Sequence, residues 1–272
     1  MSENLLCPCG INRFVKVHTF VESPPVEVQF AFSGADQYQR ELMKCEVCGH
    51  FISVHDMDTS ALYSGDYATS NYGDFSGITA TFDKIINLAP ERSDNDKRVK
   101  RVLEFTSSFW ENSSGMKVLD VGSGLCVFLK RMKDAGWDCT ALDPDPQQVR
   151  HAQENVGVKT VLADFMEVAE FDTFDLITIN RVLEHVENPI EMLSRAGRYL
   201  KPNGLVYIEL PDGEDAIKDG PEREEFTIDH FHIFSFTSMA LMVNKAGFEL
   251  VNGVRVREPS GKYTIYGFCK IS

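Results

Sequence analysis

Three groups of residues in this chain have the types and spacing to do chemistry. The first is two tight cysteine pairs, Cys7-x-Cys9-Gly and Cys45-x-x-Cys48-Gly. Four thiolates suit a closed tetrahedral zinc site, and a glycine after the second cysteine of each pair lets backbone amides turn toward sulfur. The first pair is one residue short of the usual CxxC spacing, which leaves His50 and His55 as neighbours of interest. The second group is Val118-Leu119-Asp120-Val121-Gly122-Ser123-Gly124, an apolar strand that ends in a glycine turn. Glycines at such a turn let the backbone come close to a ligand where a side chain would collide. The acidic residue Asp143 ends the next apolar run, placed to accept hydrogen bonds from both hydroxyls of a ribose. Asp164 ends the run after that, where a carboxylate can take the exocyclic amine of adenine while Phe165 packs on the ring. The third group is histidines: His185 in Arg181-Val182-Leu183-Glu184-His185, and His230 and His232 in Asp229-His230-Phe231-His232-Ile233-Phe234-Ser235. An imidazole with a pKa near 6.5 suits removal of a proton from an O–H or N–H group. His230 is the first choice for that base, then His232, then His185. Packing or loop-ordering roles are the competing reading for all three. Histidines one residue apart on extended chain point to opposite faces, so only one of His230 and His232 is expected to face a substrate.

These groups need a scaffold, and the apolar pattern supplies one. From Lys117 onward the runs KVLDVG, DCTALD, KTVLAD, FDLITIN, GLVYIEL, FELVNGVRV and KYTIYGFCK alternate with helical stretches near 125–135, 146–154, 189–200 and 237–246. Such alternation builds an α/β fold: a Rossmann-like, seven-stranded, mostly parallel sheet with helices on both faces. The last two runs lack a helix between them and predict an antiparallel hairpin at the sheet edge. Ligands in such sheets sit beyond the carboxyl ends of the strands, so Asn180, Arg181 and His185 should border the site. Residues 1–56 form a small zinc-ribbon-like β module, with strand alternation at 13–21 and 27–32. Residues 57–113 are a linker and lid region, rich in Tyr, Ser, Gly and Asp, that turns helical near 94–110. Residues 114–272 are the Rossmann-like domain. The acidic stretch 213–229, with Gly220-Pro221, has the texture of a substrate lid.

The run Asp120-Val-Gly-Ser-Gly, with Asp143 and Asp164 at the next two strand tips, resembles the class I S-adenosylmethionine methyltransferases over about 117–271. That resemblance implies a cofactor held by Asp120, Gly122, Gly124, Asp143, Asp164, Phe165, Asn180 and Arg181. Family members often carry a third glycine where this chain has Cys126. The rival ligand for a GxG loop is NAD, but its fingerprint wants a glycine at the position of Val127. Asp120 would also set a negative charge beside a pyrophosphate, whereas a cationic sulfonium tolerates it. The cysteine pairs, together with Leu62-Tyr63-Ser64-Gly65-Asp66-Tyr67, resemble the N-terminal zinc module of methyltransferases from sugar and surface-polysaccharide loci. That implies structural zinc on Cys7, Cys9, Cys45 and Cys48, and a nucleotide-linked sugar or related phosphorylated metabolite as acceptor. Tyr63, Tyr67 and Tyr72 would then lid the substrate or pack.

Composition bounds the alternatives. The chain has 272 residues and a formal net charge of −14, with no basic run beyond Lys97, Arg98, Lys100 and Arg101. That short stretch reads as one solvated helix face. An acidic surface repels phosphate backbones, so nucleic acid is disfavoured as a partner. No stretch has the roughly 18 apolar residues of a membrane span, and the first ten residues lack a signal-peptide pattern. A cytoplasmic location follows, where paired cysteines point to metal before disulfide. The alternatives to a small-molecule methyltransferase are a protein- or RNA-directed enzyme and a cofactor-binding module without turnover.

Overall fold

The computed structural model describes residues 5–27, 37–58, 74–111 and 114–272. Its centre is a seven-stranded sheet in the order β10-β11-β8-β7-β4-β5-β6. The strands are β4 (Lys117–Val121), β5 (Asp138–Asp143), β6 (Lys159–Leu162), β7 (Phe174–Asn180), β8 (Leu200–Pro211), β10 (Phe248–Arg257) and β11 (Tyr263–Ile271). The first five run parallel, and β11 pairs antiparallel with both β8 and β10. The expected edge hairpin is therefore present.

Both faces of the sheet are covered, as continuous apolar strands require. On β4, Leu119 and Val121 join a core with Met192 and Leu193 of α5 (Pro189–Ala196) and Met239 and Met242 of α7 (Phe236–Lys245). Val118 belongs to the opposite core, with Val99 and Val102 of α2 (Asp94–Phe109) and Phe128 and Leu129 of α3 (Val127–Asp134). Strand alternation then sets Asp120 on the same face as Val118. Two more helices complete this side, α1 (Phe75–Ile86) and α4 (Pro146–His151), the latter continuing as a π turn over Ala152–Val156. The helix expected from 125 starts at Val127 instead, because Cys126 adopts φ 59° and closes the glycine turn.

The second sheet is small and antiparallel, in the order β1-β2-β3-β9, with β1 (Phe14–Phe20), β2 (Arg40–Cys45), β3 (Phe51–Val54) and β9 (His232–Ile233). Its fourth strand comes from residues beyond β8, so residues 1–56 do not complete it alone. The strand expected over 27–32 lies almost wholly outside the described residues, as do Tyr63, Tyr67 and Tyr72.

The stretch 213–229, expected as a substrate lid, is folded. It forms α6 (Gly213–Ala216) and 3-10 turns at Ile217–Asp219 and Glu224–Phe226. Ala216, Phe226 and Ile228 are buried with Phe20, Leu42 and Phe51 of the small sheet. The fully buried pair Arg40–Glu27 sits beside them, and Arg40 Nη1 donates to the Phe226 carbonyl at 2.7 Å. Beside its acidic side chains the stretch thus carries apolar ones that pack on the small sheet.

Candidate functional site

The glycine turn after β4 is built by its neighbours. Gly122 N–H and Ser123 N–H both donate to the Leu142 carbonyl of β5, at 2.8 and 3.2 Å. Gly122 has φ 66°, and a Cβ there would lie 2.6 Å from Val182 Cγ2 in the loop after β7. Glycine is thus required on two counts, conformation and the close approach of that loop. Gly124 has φ 49°, and a Cβ there would meet nothing within 4 Å. That open space lies beyond the carboxyl ends of the strands, where a ligand of this sheet is expected.

Carboxylates stand at or just past the carboxyl ends of β4, β5 and β6. Asp143 Oδ2 accepts from Gly124 N–H at 2.8 Å and Oδ1 from Asp145 N–H at 2.9 Å. The carboxylate and the glycine turn therefore hold each other in place. Burial pushes its pKa up to about 6. Asp120 Oδ1 accepts from Thr178 Oγ1 at 2.6 Å and Asn180 Nδ2 at 2.8 Å. Burial pushes its pKa up to about 7, although those donors pull it down. Asp164 is exposed, with Oδ1 accepting from Met166 N–H at 2.8 Å. Two polar atoms on these loops, Ser123 Oγ and Asn180 Oδ1, are buried without a hydrogen-bond partner. Native interiors rarely leave such groups unmet, and a bound ligand with donors would satisfy them.

Two expected cofactor contacts are corrected. Phe165 is 2% exposed and stacks edge-on against Tyr199 in the core, so its face is not available to a base. Arg181, at φ 58°, turns its guanidinium away to Thr264 Oγ1 and lies 3.6 Å from Glu209.

Glu209, near the carboxyl end of β8, was not foreseen as a centre of charge. It is fully buried, grips Arg98 of α2 with both oxygens, and has Arg101 at 3.8 Å. Arg101 also pairs with Glu258. The helix face read as solvated is therefore split: Lys97 and Lys100 are exposed, while Arg98 and Arg101 turn inward. The signal was available in two places, a glutamate inside the apolar run GLVYIEL and arginines spaced i, i+3 on one helix.

The histidines separate as alternation requires. His230 faces His185, with ring centroids 4.8 Å apart. Each uses Nδ1 on a backbone carbonyl, His185 on Asp229 at 2.9 Å and His230 on Glu225 at 2.8 Å. A carbonyl only accepts, so each Nδ1 donates to it, and His185 Nδ1 also lies 3.6 Å from Asp229 Oδ2. Burial lowers the pKa of His230. His232 points the other way, and its role as a base is withdrawn. Its Nδ1 meets His50 Nε2 at 3.0 Å and its Nε2 meets the Glu187 carbonyl at 3.1 Å. Both nitrogens are committed, and burial depresses its pKa to about 4. His50 continues the chain to Ser238 Oγ at 3.1 Å, tying the small sheet to α7.

The four paired cysteines converge. Cys7 Sγ lies 3.2 Å from Cys48 Sγ, and Cys9 Sγ lies 3.3 Å from Cys7 and 3.7 Å from Cys45. Four sulfurs at the corners of a tetrahedron 2.3 Å from zinc stand about 3.8 Å apart. The cluster is near that size with no disulfide formed. Ser235 Oγ donates to the Cys48 carbonyl, so the knuckle is anchored to the cap of α7.

Comparison with known proteins agrees with this geometry. Residues 90–252 match the family described as a methyltransferase domain. The ubiquinone biosynthesis O-methyltransferase of Photobacterium profundum is 39% identical over 101 residues, covering 34% of this chain and 43% of that protein. The mitochondrial enzyme of the same name from Schizosaccharomyces pombe is 33% identical over 103 residues, covering 35% of this chain and 38% of that protein. The chain thus spans less than half the length of each of these curated relatives. The magnesium protoporphyrin IX methyltransferase of Synechocystis, solved with bound S-adenosylhomocysteine, superposes with TM-score 0.60 at 14% identity, covering 78% of this chain and all of that one. The 1,6-didemethyltoxoflavin-N1-methyltransferase of Burkholderia thailandensis superposes with TM-score 0.55 at 17% identity, covering 88% of this chain and 98% of that one. These structures share the fold. Among the described residues no helix is long and apolar enough to cross a membrane.

Proposed function

The chain belongs to the methyltransferase domain family, and from that premise we propose that it transfers a methyl group from S-adenosylmethionine to a hydroxyl of a small molecule. The observation that carries this reading is the Gly122–Gly124 turn, with Asp143 clamped to it and an open space beside it. Asp143 would hold the ribose and Asp164 the base. Ser123 and Asn180 would use their unmatched oxygens on the ligand's donors. Asp120 and Asp143 bring negative charge to a site for a cation, which disfavours a dinucleotide pyrophosphate.

When bound, S-adenosylmethionine supplies an electrophilic methyl on a positive sulfur. The chain's own residues must then align an acceptor in line with that methyl and manage its proton. Glu184, His185 and His230 are the group suited to the second task. Val182 carries this loop against Gly122, and Phe231 N–H holds it to the Glu184 carbonyl at 2.8 Å. The hydroxyl preference rests on the O-methyltransferase relatives. A nucleotide-linked sugar rests on the cysteine module alone and ranks second.

Calorimetric titration with S-adenosylmethionine and S-adenosylhomocysteine, with NAD as control, tests the reading. Saturable binding of the first two is expected. Asp143→Ala should weaken it by about 1.5–3 kcal/mol, the contribution of charge-assisted hydrogen bonds. A folded protein that binds neither, or prefers NAD, would overturn the proposal.

We also propose that Cys7, Cys9, Cys45 and Cys48 hold one structural zinc ion. Four protein ligands close the coordination shell and leave no position for a substrate. Elemental analysis should find about one zinc per chain, lost in Cys45→Ser together with a lower melting temperature. Wild-type protein free of zinc at unchanged melting temperature would dismiss the site.

A further inference from the structure

Around Glu209 the charges do not balance. Among the described residues, three guanidinium groups, of Arg98, Arg101 and Arg181, meet two carboxylates, of Glu209 and Glu258. Arg98 grips both oxygens of Glu209, and Arg101 grips Glu258. Arg181 has no carboxylate of the described residues at hydrogen-bond distance. Its Nη2 donates to the neutral Thr264 Oγ1, and its Nε lies 3.6 Å from Glu209. A charge withdrawn from water is costly unless an opposite charge meets it. Arg181 is withdrawn but not sealed, for its side chain is 23% exposed while that of Glu209 is fully buried. A second donor at the same carboxylate is also unmet: Arg101 Nη1, 3.8 Å from Glu209, is buried without a hydrogen-bond partner.

The backbone aims this side chain. Arg181 holds φ 58°, a left-handed conformation that few non-glycine residues adopt and that clusters at ligand sites. Its N–H donates to the Glu209 carbonyl at 3.0 Å, which fixes the turn, and the guanidinium then reaches across β8 to β11. Thr264 on β11 stands three strand spacings, roughly 14 Å, from β4 and its glycine turn. Asp143, on β5, lies one strand farther still in the same direction. We propose that Arg181, with Arg101 behind it, seats a carboxylate of the methyl acceptor. The cofactor then occupies the β4 and β5 side of the sheet, and the acceptor the β7, β8 and β11 side. One unmatched positive charge calls for one negative charge, which favours a carboxylate over a phosphate dianion. A carboxylate also matches the planar fork of a guanidinium. The assignment rests on the methyl-transfer reading for calling the ligand an acceptor, but binding of the anion is measurable apart from it.

Acetate is the probe, with acetamide as its neutral counterpart, on the full chain with and without S-adenosylhomocysteine. Titration followed by nuclear magnetic resonance should show one acetate bound saturably, more than about tenfold tighter than acetamide. Arg181→Gln should lose about tenfold or more of that affinity, and Arg181→Lys, which keeps the charge but not the fork, should fall between. The melting temperature of Arg181→Gln should not fall, because Arg98 keeps Glu209 and Arg101 keeps Glu258. Acetate held no tighter than acetamide, acetate binding untouched by Arg181→Gln, or a lower melting temperature in that variant overturns the seat. Inorganic phosphate bound more tightly than acetate overturns the choice of a carboxylate. 5′-Methylthioadenosine, which lacks the amino-acid tail of S-adenosylhomocysteine, separates the two sources of a carboxylate. If Arg181→Gln weakens S-adenosylhomocysteine but not methylthioadenosine, the seat belongs to the cofactor's tail and its assignment to the acceptor falls. Acetate bound by wild-type protein that binds no S-adenosylhomocysteine counts against the cofactor reading and leaves the seat standing.

Discussion

Glu209→Ala should destabilise the protein by about 3–5 kcal/mol, the usual consequence of removing one partner from a buried ion pair. The residue is fully buried, accepts two hydrogen bonds from Arg98, and has Arg181 and Arg101 at 3.6 and 3.8 Å. Tyr207 donates to it at 2.9 Å. Without the carboxylate, guanidinium groups from α2 and from the loop after β7 would repel one another inside the fold. Chemical denaturation should show the loss as a lower midpoint at nearly unchanged slope. Glu209→Gln keeps the shape and should cost much of the same amount, because charge and not volume is at issue. Burial alone would push the Glu209 pKa up, but Arg98, then Arg181 and Arg101, outweigh it and hold the pKa well below the usual range. A depressed carboxylate contributes stability above its unfolded pKa of about 4.3 and loses it as the pH falls below that. Wild-type stability should therefore drop steeply under acid, and the drop should be smaller in Glu209→Gln. A substitution costing under about 1 kcal/mol would mean that the arginines find other partners or water.

The sheet was legible because its signal is periodic. Seven apolar runs separated by helical stretches admit few arrangements, and the acid–glycine turn marked the strand at the switch point. Single-residue patterns do not say which way a side chain turns. Phe165 follows Asp164 directly, yet it packs on Tyr199, because the chain bends there toward the core. Arg181 sits at the tip of β7 but is drawn to Glu209, and that attraction depends on register between strands distant in sequence. Alternation set His230 and His232 on opposite faces, but what His232 meets depends on β9 pairing with β3, which brings it to His50. Glu184 was visible inside Leu183-Glu184-His185, but only burial reveals that it has no partner. The small sheet was the least legible part, because β9 is only two residues long and joins β3 across most of the chain.

Affinity for S-adenosylhomocysteine should rise with pH between about 5.5 and 8, by about tenfold per unit between pH 6 and 7 and more steeply, toward about a hundredfold per unit, below 6. Burial lifts Asp120 to about 7 and Asp143 to about 6, so below those values the free protein holds both carboxyls protonated. A ligand with a cationic group and ribose hydroxyls selects the ionised forms, and binding must release the protons. Calorimetry in two buffers of different ionisation enthalpy should record that release near pH 6.5. Asp143→Asn should remove its share, leaving a shallower profile that breaks near pH 7. The stability of the free protein must run the other way. A carboxyl whose folded pKa is raised stabilises the fold below its unfolded value of about 3.9, and that contribution is lost as the pH climbs through the folded value. From these two groups the free protein is weaker at pH 8 than at pH 5, where the cofactor binds worst. The site thus carries buried charge that only its ligand relieves, so the melting temperature gained on adding S-adenosylhomocysteine should grow with pH. Affinity that stays flat across this range would mean that neither carboxylate changes its proton on binding, and would remove Asp120 and Asp143 from direct charge contact with the ligand.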